Sequence, residues 1–270
     1  MNFIAIRRLT FLILSISVFN SVAVAQQRPL ATEDPRLIEE GTVVTELGLG
    51  YQHHARFPVS GLTGDLYAIL VNGIHFGVGK RAEFQMTGTA HNYLKLENNA
   101  GSRNDWGDLA ISTKIKIAEE GRSLPIISFR PTVVLPNSNR TKGIGTDGTH
   151  FFGDILVGKS AGSAFIFGTI GIGMLDDANR PQSQHDVIDY AIAAVIPAGN
   201  RLKVLGEWNG YHNTRPNPSR GGESRGQARL GVQLKGGGTT WDVAATAGTT
   251  HWDHKVGFVA GMTKEFRFGR

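Results

Sequence analysis

The chain has 270 residues, among them 35 glycines and no cysteine, with a formal net charge of +5 and a pI near 9.6. The missing cysteine excludes a disulfide framework, thiol catalysis and cysteine-based zinc sites. The basic balance comes without a dense Lys/Arg run and on a chain that opens with an export signal, which argues against nucleic acid as a partner.

The signal comes first. Arg7 and Arg8 form a basic n-region, residues 9–19 are mostly apolar, and Ala23-Val24-Ala25 fits a small-x-small cleavage site. Residues 1–25 are therefore expected to be removed, since the apolar run falls short of the roughly 20 residues of a spanning helix. Residues 26–41 carry two prolines, four acids and little periodicity. They are expected to lie in the periplasm or to fold, plug-like, into the mouth of the domain built by residues 42–268.

From residue 42 to 268 the chain alternates long polar gaps with short turns, and the runs between them are mostly apolar at every second residue. Strands are expected at 42–54, 65–76, 82–94, 106–118, 126–135, 150–159, 164–175, 186–196, 202–211, 225–234, 240–248 and 255–268. The clearest is 106–118, with Leu109, Ile111, Ile115 and Ile117 on one face and Asp108, Ser112, Lys114 and Lys116 on the other. Strands 150–159 and 164–175 have no clear parity. About twelve strands, with longer and shorter connections in turn, predict an all-β fold. It is an antiparallel transmembrane β-barrel with short periplasmic turns and long extracellular loops, set in the bacterial outer membrane. The glycine content suits a barrel, which uses glycine to bend strands and open the lumen. Tyr51, Tyr93 and Trp106 fall near the long-loop ends and Phe84, Phe129 and Phe266 near the short turns, as two aromatic belts would require.

With apolar faces toward lipid, the polar set lines the lumen. It includes Glu46, Gln52, Glu83, His91, Asp108, Lys114, Lys116, Arg130, Asp154, Asp189, Lys203, Glu207, Arg229, Asp242 and Glu265. Such mixed charges can brace the wall or form a solute-selecting constriction. Lys114, Arg130 and Glu207 are the constriction candidates, since they fall away from strand ends. Asp108 and Arg229 join the lumen set, and Glu83 sits nearer the periplasmic rim.

Three motif matches do not carry the chemistry their spacing suggests. Gly153 to Ser160 fits a phosphate loop, Gly158 to Gly162 fits G-x-S-x-G, and Gly143, Gly145 and Gly148 fit G-x-G-x-x-G. Each needs a helix after its loop, whereas glycine-studded strand comes next here. His251-Trp252-Asp253-His254 offers weak metal spacing in an external hairpin, and His53-His54 is a loop-proximal polar pair. No cofactor is implied. Arg140, Lys142, Arg180, Arg215 and Arg220 fall in outer gaps, where lipopolysaccharide phosphates are the available anions.

Residues 28–52 (RPLATEDPRLIEEGTVVTELGLGYQ), 106–117 (WGDLAISTKIKI), 129–136 (FRPTVVLP) and 143–160 (GIGTDGTHFFGDILVGKS) resemble the outer-membrane transporters of the meta-pathway phenol-degradation family. The resemblance runs over most of the mature chain. It implies a β-barrel that passes aromatic or other hydrophobic compounds, without catalytic residues. One departure is the ending, where Phe268 is followed by Gly269-Arg270 instead of closing the chain. The expected function is passive uptake of small hydrophobic or aromatic solutes. A structural or adhesive barrel with a sealed lumen is the alternative, and a lipid-modifying barrel enzyme built from residues such as Ser112 and His91 a more distant one. The oligomeric state and the solute are not legible.

Overall fold

A computed structural model describes residues 28–180 and 182–268; the expected signal peptide and the Gly269-Arg270 ending lie outside the described residues. Thirteen strands follow one another: β1 (Thr42–Phe57), β2 (Leu62–Gly79), β3 (Ala82–Leu96), β4 (Ser102–Asp105), β5 (Leu109–Ala118), β6 (Ile126–Leu135) and β7 (His150–Ala161). Then come β8 (Ala164–Asp176), β9 (Gln184–Pro197), β10 (Leu202–Asn213), β11 (Arg225–Gly236), β12 (Thr239–Gly248) and β13 (Val256–Arg267). Around the ring each strand pairs antiparallel with its neighbour, β3 pairs with β5, and β1 pairs with both β2 and β13. The result is a closed 12-stranded barrel, with the four-residue β4 appended to the end of β3 outside the ring. Closure removes the sheet edges that an open sheet would expose.

The alternation reads out as expected. Leu47 and Leu49 on β1, Ile115 and Ile117 on β5, and Ile170 and Ile172 on β8 are exposed on the outer surface. Glu46, Lys114, Asp154, Glu207 and Asp242 are buried within. Charged side chains tolerate such burial only when they meet partners in an enclosed space. A row of directly paired aromatic residues crosses four neighbouring strands: Phe258, Tyr51, Tyr67 and Tyr93, with ring centroids 5.4, 5.2 and 6.1 Å apart in succession.

Connections 80–81, 119–125, 162–163, 198–201 and 237–238 lie at one end, and 97–108, 136–149, 177–183, 214–224 and 249–255 at the other. Several details differ from the sequence reading. The expected long gap at Pro58 to Gly61 is a tight turn, because β1 and β2 run on to Phe57 and from Leu62. The strand expected from Trp106 starts at Leu109, because Gly107 donates its amide to the Thr89 carbonyl and the Asp105 and Asp108 carboxylates are engaged by a loop. The parity of β7 and β8 is hidden in sequence because both faces carry apolar residues. Phe165 and Phe167 point inward and pack with Leu30, Ile126, Ala193 and Leu205, while Ile166 and Ile170 point out. His91 is a correction. It is exposed and pairs with exposed Ile69, beyond a bulge at Leu70 (φ 52°) where the inward and outward sets of β2 exchange.

The long loops are stitched together. Asp105 is buried and accepts from the amides of Asn139 and Trp106 and from Lys142 Nζ at 2.9 Å. Ser60 Oγ donates to the Gly143 carbonyl at 2.6 Å, and Asn179 Nδ2 to the Arg220 carbonyl at 2.5 Å. Burial pushes the Asp105 carboxyl up, but the Asn139 amide and the Lys142 ammonium outweigh it and hold it below its usual value. A depressed carboxyl stabilises the fold fully above its unfolded pKa of about 3.9, and loses that contribution as pH falls through the folded value. Hydrogen exchange across 136–149, corrected for intrinsic rate, is therefore expected to be unchanged from pH 7 to 5 and faster at pH 3.

Candidate functional site

The barrel interior is occupied by an irregular segment of the chain itself. Residues 28–41 precede β1 and turn into the lumen at the short-turn end, where the wall supplies a partner at nearly every step. Leu30 enters the apolar cluster formed by Phe165, Phe167 and Leu205. The amides of Ala31 and Thr32 donate to the Glu207 carboxylate at 2.7–3.0 Å. The Ile38 amide donates to Glu83 Oε2 at 2.9 Å, and Ser128 Oγ donates to the Pro35 carbonyl at 2.6 Å. Arg229 donates to the Pro29 carbonyl and Gln233 to that of Arg28. Because the segment lacks regular structure, its backbone groups need such partners once buried.

Glu33 is the hub. Its carboxylate accepts from Lys114 Nζ at 2.7 Å, Arg130 NH1 at 2.8 Å and Gln85 Nε2 at 2.8 Å. Lys114 is only 1% exposed, lies 3.2 Å from Glu83 Oε1 and donates to the Asp34 carbonyl at 2.9 Å. Burial pushes the Glu33 carboxyl up, but the Lys114 and Arg130 charges prevail and hold it at about 2. Arg130 also reaches Asp154 Oδ2 at 3.1 Å. Arg36 stacks 3.9 Å above the Phe165 ring and pairs with Asp34.

Arg28 anchors the start of the segment through Asp242 at 3.4 Å and the Ala260 carbonyl at 3.1 Å. Its guanidinium lies in a notch formed by Gly48 and Gly261, which face each other across β1 and β13. A methyl at Gly48 would occupy the guanidinium's place. Gly48→Ala is therefore expected to leave the barrel folded but release Arg28. Loss of a charge-assisted bond of about 1.5–3 kcal/mol should speed hydrogen exchange of 28–33 at least about tenfold.

Above the plug, toward the long loops, lies a chamber of about 720 Å³. Ala31, Thr32 and Glu33 form its floor; Arg130, Asp154 and Asp189 line its lower wall. Phe57, Val134, Ile144, Phe152 and Leu175 give an apolar collar. The volume is within the ordinary range for small-molecule sites.

Lys114, Arg130, Glu207, Glu83 and Arg229 therefore converge on the plug, which they hold by its carbonyls, amides and Glu33. Asp108 does not join them. It stands at the long-loop end, where Oδ1 accepts from the Asn137 and Ser138 amides at 3.0 and 2.9 Å and from Ser138 Oγ at 2.6 Å. Lys116 pairs with Glu119 near the short turn. Sequence reasoning assigned no role to Arg28, Glu33 and Asp34. The available signal was the concentration of acids among prolines just before the first strand.

The motif matches dissolve into barrel parts. Gly153 to Ser160 is β7 itself, and Gly158 to Gly162 rounds the turn into β8. In the 249–255 hairpin, Asp253 accepts from Gly226 and Thr250, and His254 meets Thr246 Oγ1 at 2.9 Å. Among the described residues no group of three or more His, Asp or Glu is placed to hold a metal ion. Ser219, His185 and Asp177 do meet in the loops. Ser219 Oγ donates to Asp177 Oδ2 at 2.5 Å and lies 3.1 Å from His185 Nε2. Asp177 lies 3.4 Å from that same ring nitrogen. A nucleophile relay needs the carboxylate on the other nitrogen, and His185 Nδ1 is buried without a partner. The trio clasps two loops.

No protein-family model matches the chain, and no curated protein matches it either. Solved structures do. An outer membrane channel from Pseudomonas putida F1 superposes with a TM-score of 0.66 at 9% identity, over 86% of this chain and 98% of that one. The NanC porin gives 0.55 at 8% identity, over 82% and 98%. The translocator domain of the autotransporter NalP from Neisseria meningitidis gives 0.51 at 12%, over 85% and 90%. At such identities the likeness is one of fold: this chain has the closed antiparallel barrel of bacterial outer-membrane proteins.

Proposed function

We propose that the protein is an outer-membrane channel for passive uptake of small hydrophobic or aromatic compounds, exported by a signal peptide cleaved after Ala25. The short turns face the periplasm and the long loops the outside, where Arg140, Arg215 and Arg220 lie near lipopolysaccharide phosphates. The observation that carries this reading is the 720 Å³ chamber, collared by apolar side chains and floored by Ala31, Thr32 and Glu33, which side chains of the wall hold in place. A solute enters from outside and sheds water against Phe57, Phe152 and Leu175. It passes on when the plug shifts from the wall. Diffusion down a gradient needs no energy source. The likeness in fold to a channel and a porin agrees with this reading without fixing the solute.

Planar bilayers test it. The intact chain should conduct, and an aromatic solute such as benzyl alcohol should reduce the current by occupying the chamber. A second reading, a sealed barrel that presents its loops, is favoured by the density of plug contacts. Silence from both the intact chain and a chain lacking residues 28–41 would support that reading and overturn the channel.

A further inference from the structure

Inside the chamber one rung of the wall runs through Arg130, Asp154, Gly171 and Asp189, each paired directly with the next across β6, β7, β8 and β9. The two carboxylates thus flank a residue with no side chain. Across two strand spacings their Cα atoms stand roughly 10 Å apart, a gap that one small head group can span. Asp154 is 1% exposed; its Oδ2 takes Arg130, and its Oδ1 lies over Gly171, on the side of Asp189, with no hydrogen-bond partner. The Asp189 side chain makes no hydrogen bond and no ion pair among the described residues. The floor adds a further unmet group, since Thr32 is 3% exposed and its hydroxyl lacks a partner.

The cations of the chamber are already committed. Arg130 holds Glu33 and Asp154, Arg225 donates to the carbonyls of Trp252 and Arg56, and Arg56 reaches His54 and the His251 carbonyl. What the lower wall lacks is therefore positive charge and hydrogen-bond donors, not acceptors. Leaving buried acceptors unmet is costly, so a donor-rich group there gains more than it would in water. The apolar collar above suits a hydrocarbon body attached to that head.

We propose that the Asp154–Gly171–Asp189 rung is a binding subsite for the ammonium head of an aryl- or alkylamine whose apolar body rests against the collar. The assignment rests on the uptake reading for its biological meaning, but not for its geometry. A primary ammonium brings three donors to a wall whose unmet groups include two carboxylates.

The test reads binding and not flux, so the two proposals fail separately. Calorimetry on the detergent-solubilised full chain compares 2-phenylethylammonium with 2-phenylethanol and 3-phenylpropionate. The ammonium should bind at least tenfold more tightly than the alcohol, and the carboxylate most weakly. Asp189→Asn, an isosteric change at a side chain without partners, should reduce the ammonium to the alcohol's affinity. Asp186→Asn, at an exposed position on the same strand, should leave the preference intact. Equal affinity for ammonium and alcohol, or a preference that survives Asp189→Asn, would overturn the subsite. Tight ammonium binding in a protein that never conducts would uphold it while removing the channel.

Discussion

Glu33→Ala should turn a weakly conducting barrel into a strongly conducting one. The side chain joins two wall cations on different strands to the plug, and its removal leaves Lys114, 1% exposed, with Glu83 as its remaining carboxylate partner. Breaking a buried pair from one side costs about 3–5 kcal/mol. That cost falls on the state with the plug docked, because an undocked plug lets water reach Lys114 and Arg130. A shift of this size changes the docked-to-undocked ratio on the order of a hundredfold or more. Mean conductance in planar bilayers should rise more than about tenfold. The barrel itself should persist, since its strand pairing does not involve Glu33, and faster gel migration before boiling checks this. Unchanged conductance in a folded Glu33→Ala barrel would mean that the plug does not gate the lumen.

The pH dependence comes from the same group. A carboxyl held at about 2 keeps its stabilising contribution above its unfolded pKa of about 4.3. The contribution is lost only as pH falls through the folded value. Titration of Glu33 should therefore not open the plug between pH 5 and 8. Acid opening through this residue requires a pH near 3 or below.

Much of the barrel was legible because strands that separate lipid from an enclosed interior must alternate. The pattern bounds residues 126–135 as the structure does, and it turns Lys114 inward because Leu109, Ile111, Ile115 and Ile117 share the other face. The failures have physical causes. The inward face of β8 is apolar because it receives Leu30, so no alternation survives there. His91 lies past a bulge that no residue type announces. Asp108 shares the parity of Lys114 but belongs to a loop clasp. A plug is one of two expectations for residues 26–41, but the contacts that dock it leave no mark in the sequence. Wall charges that looked able to satisfy one another are satisfied largely by an irregular segment, and irregular segments carry no period from which docking can be read.

Ile170→Arg distinguishes a membrane barrel from a water-soluble one. Ile170 lies near the middle of β8, is 62% exposed on the outer surface, and pairs with Ile155 and Tyr190 on the flanking strands. If that surface meets hydrocarbon, an arginine there costs about 2–4 kcal/mol at the bilayer midplane. In water the same exposed change would stay within about 0.5 kcal/mol. Urea titration of folding into phosphatidylcholine vesicles measures the difference, with Ile170→Leu as the neutral control. The midpoint should fall by the larger amount, and folding yield with it. Leu202→Arg, at the short-turn end of β10, should cost about 0–1 kcal/mol because its charge reaches the interface. A depth dependence of this kind cannot arise on a surface bathed in water. Equal and small effects at both positions would therefore remove the membrane from the account, and with it any role as a passage across one.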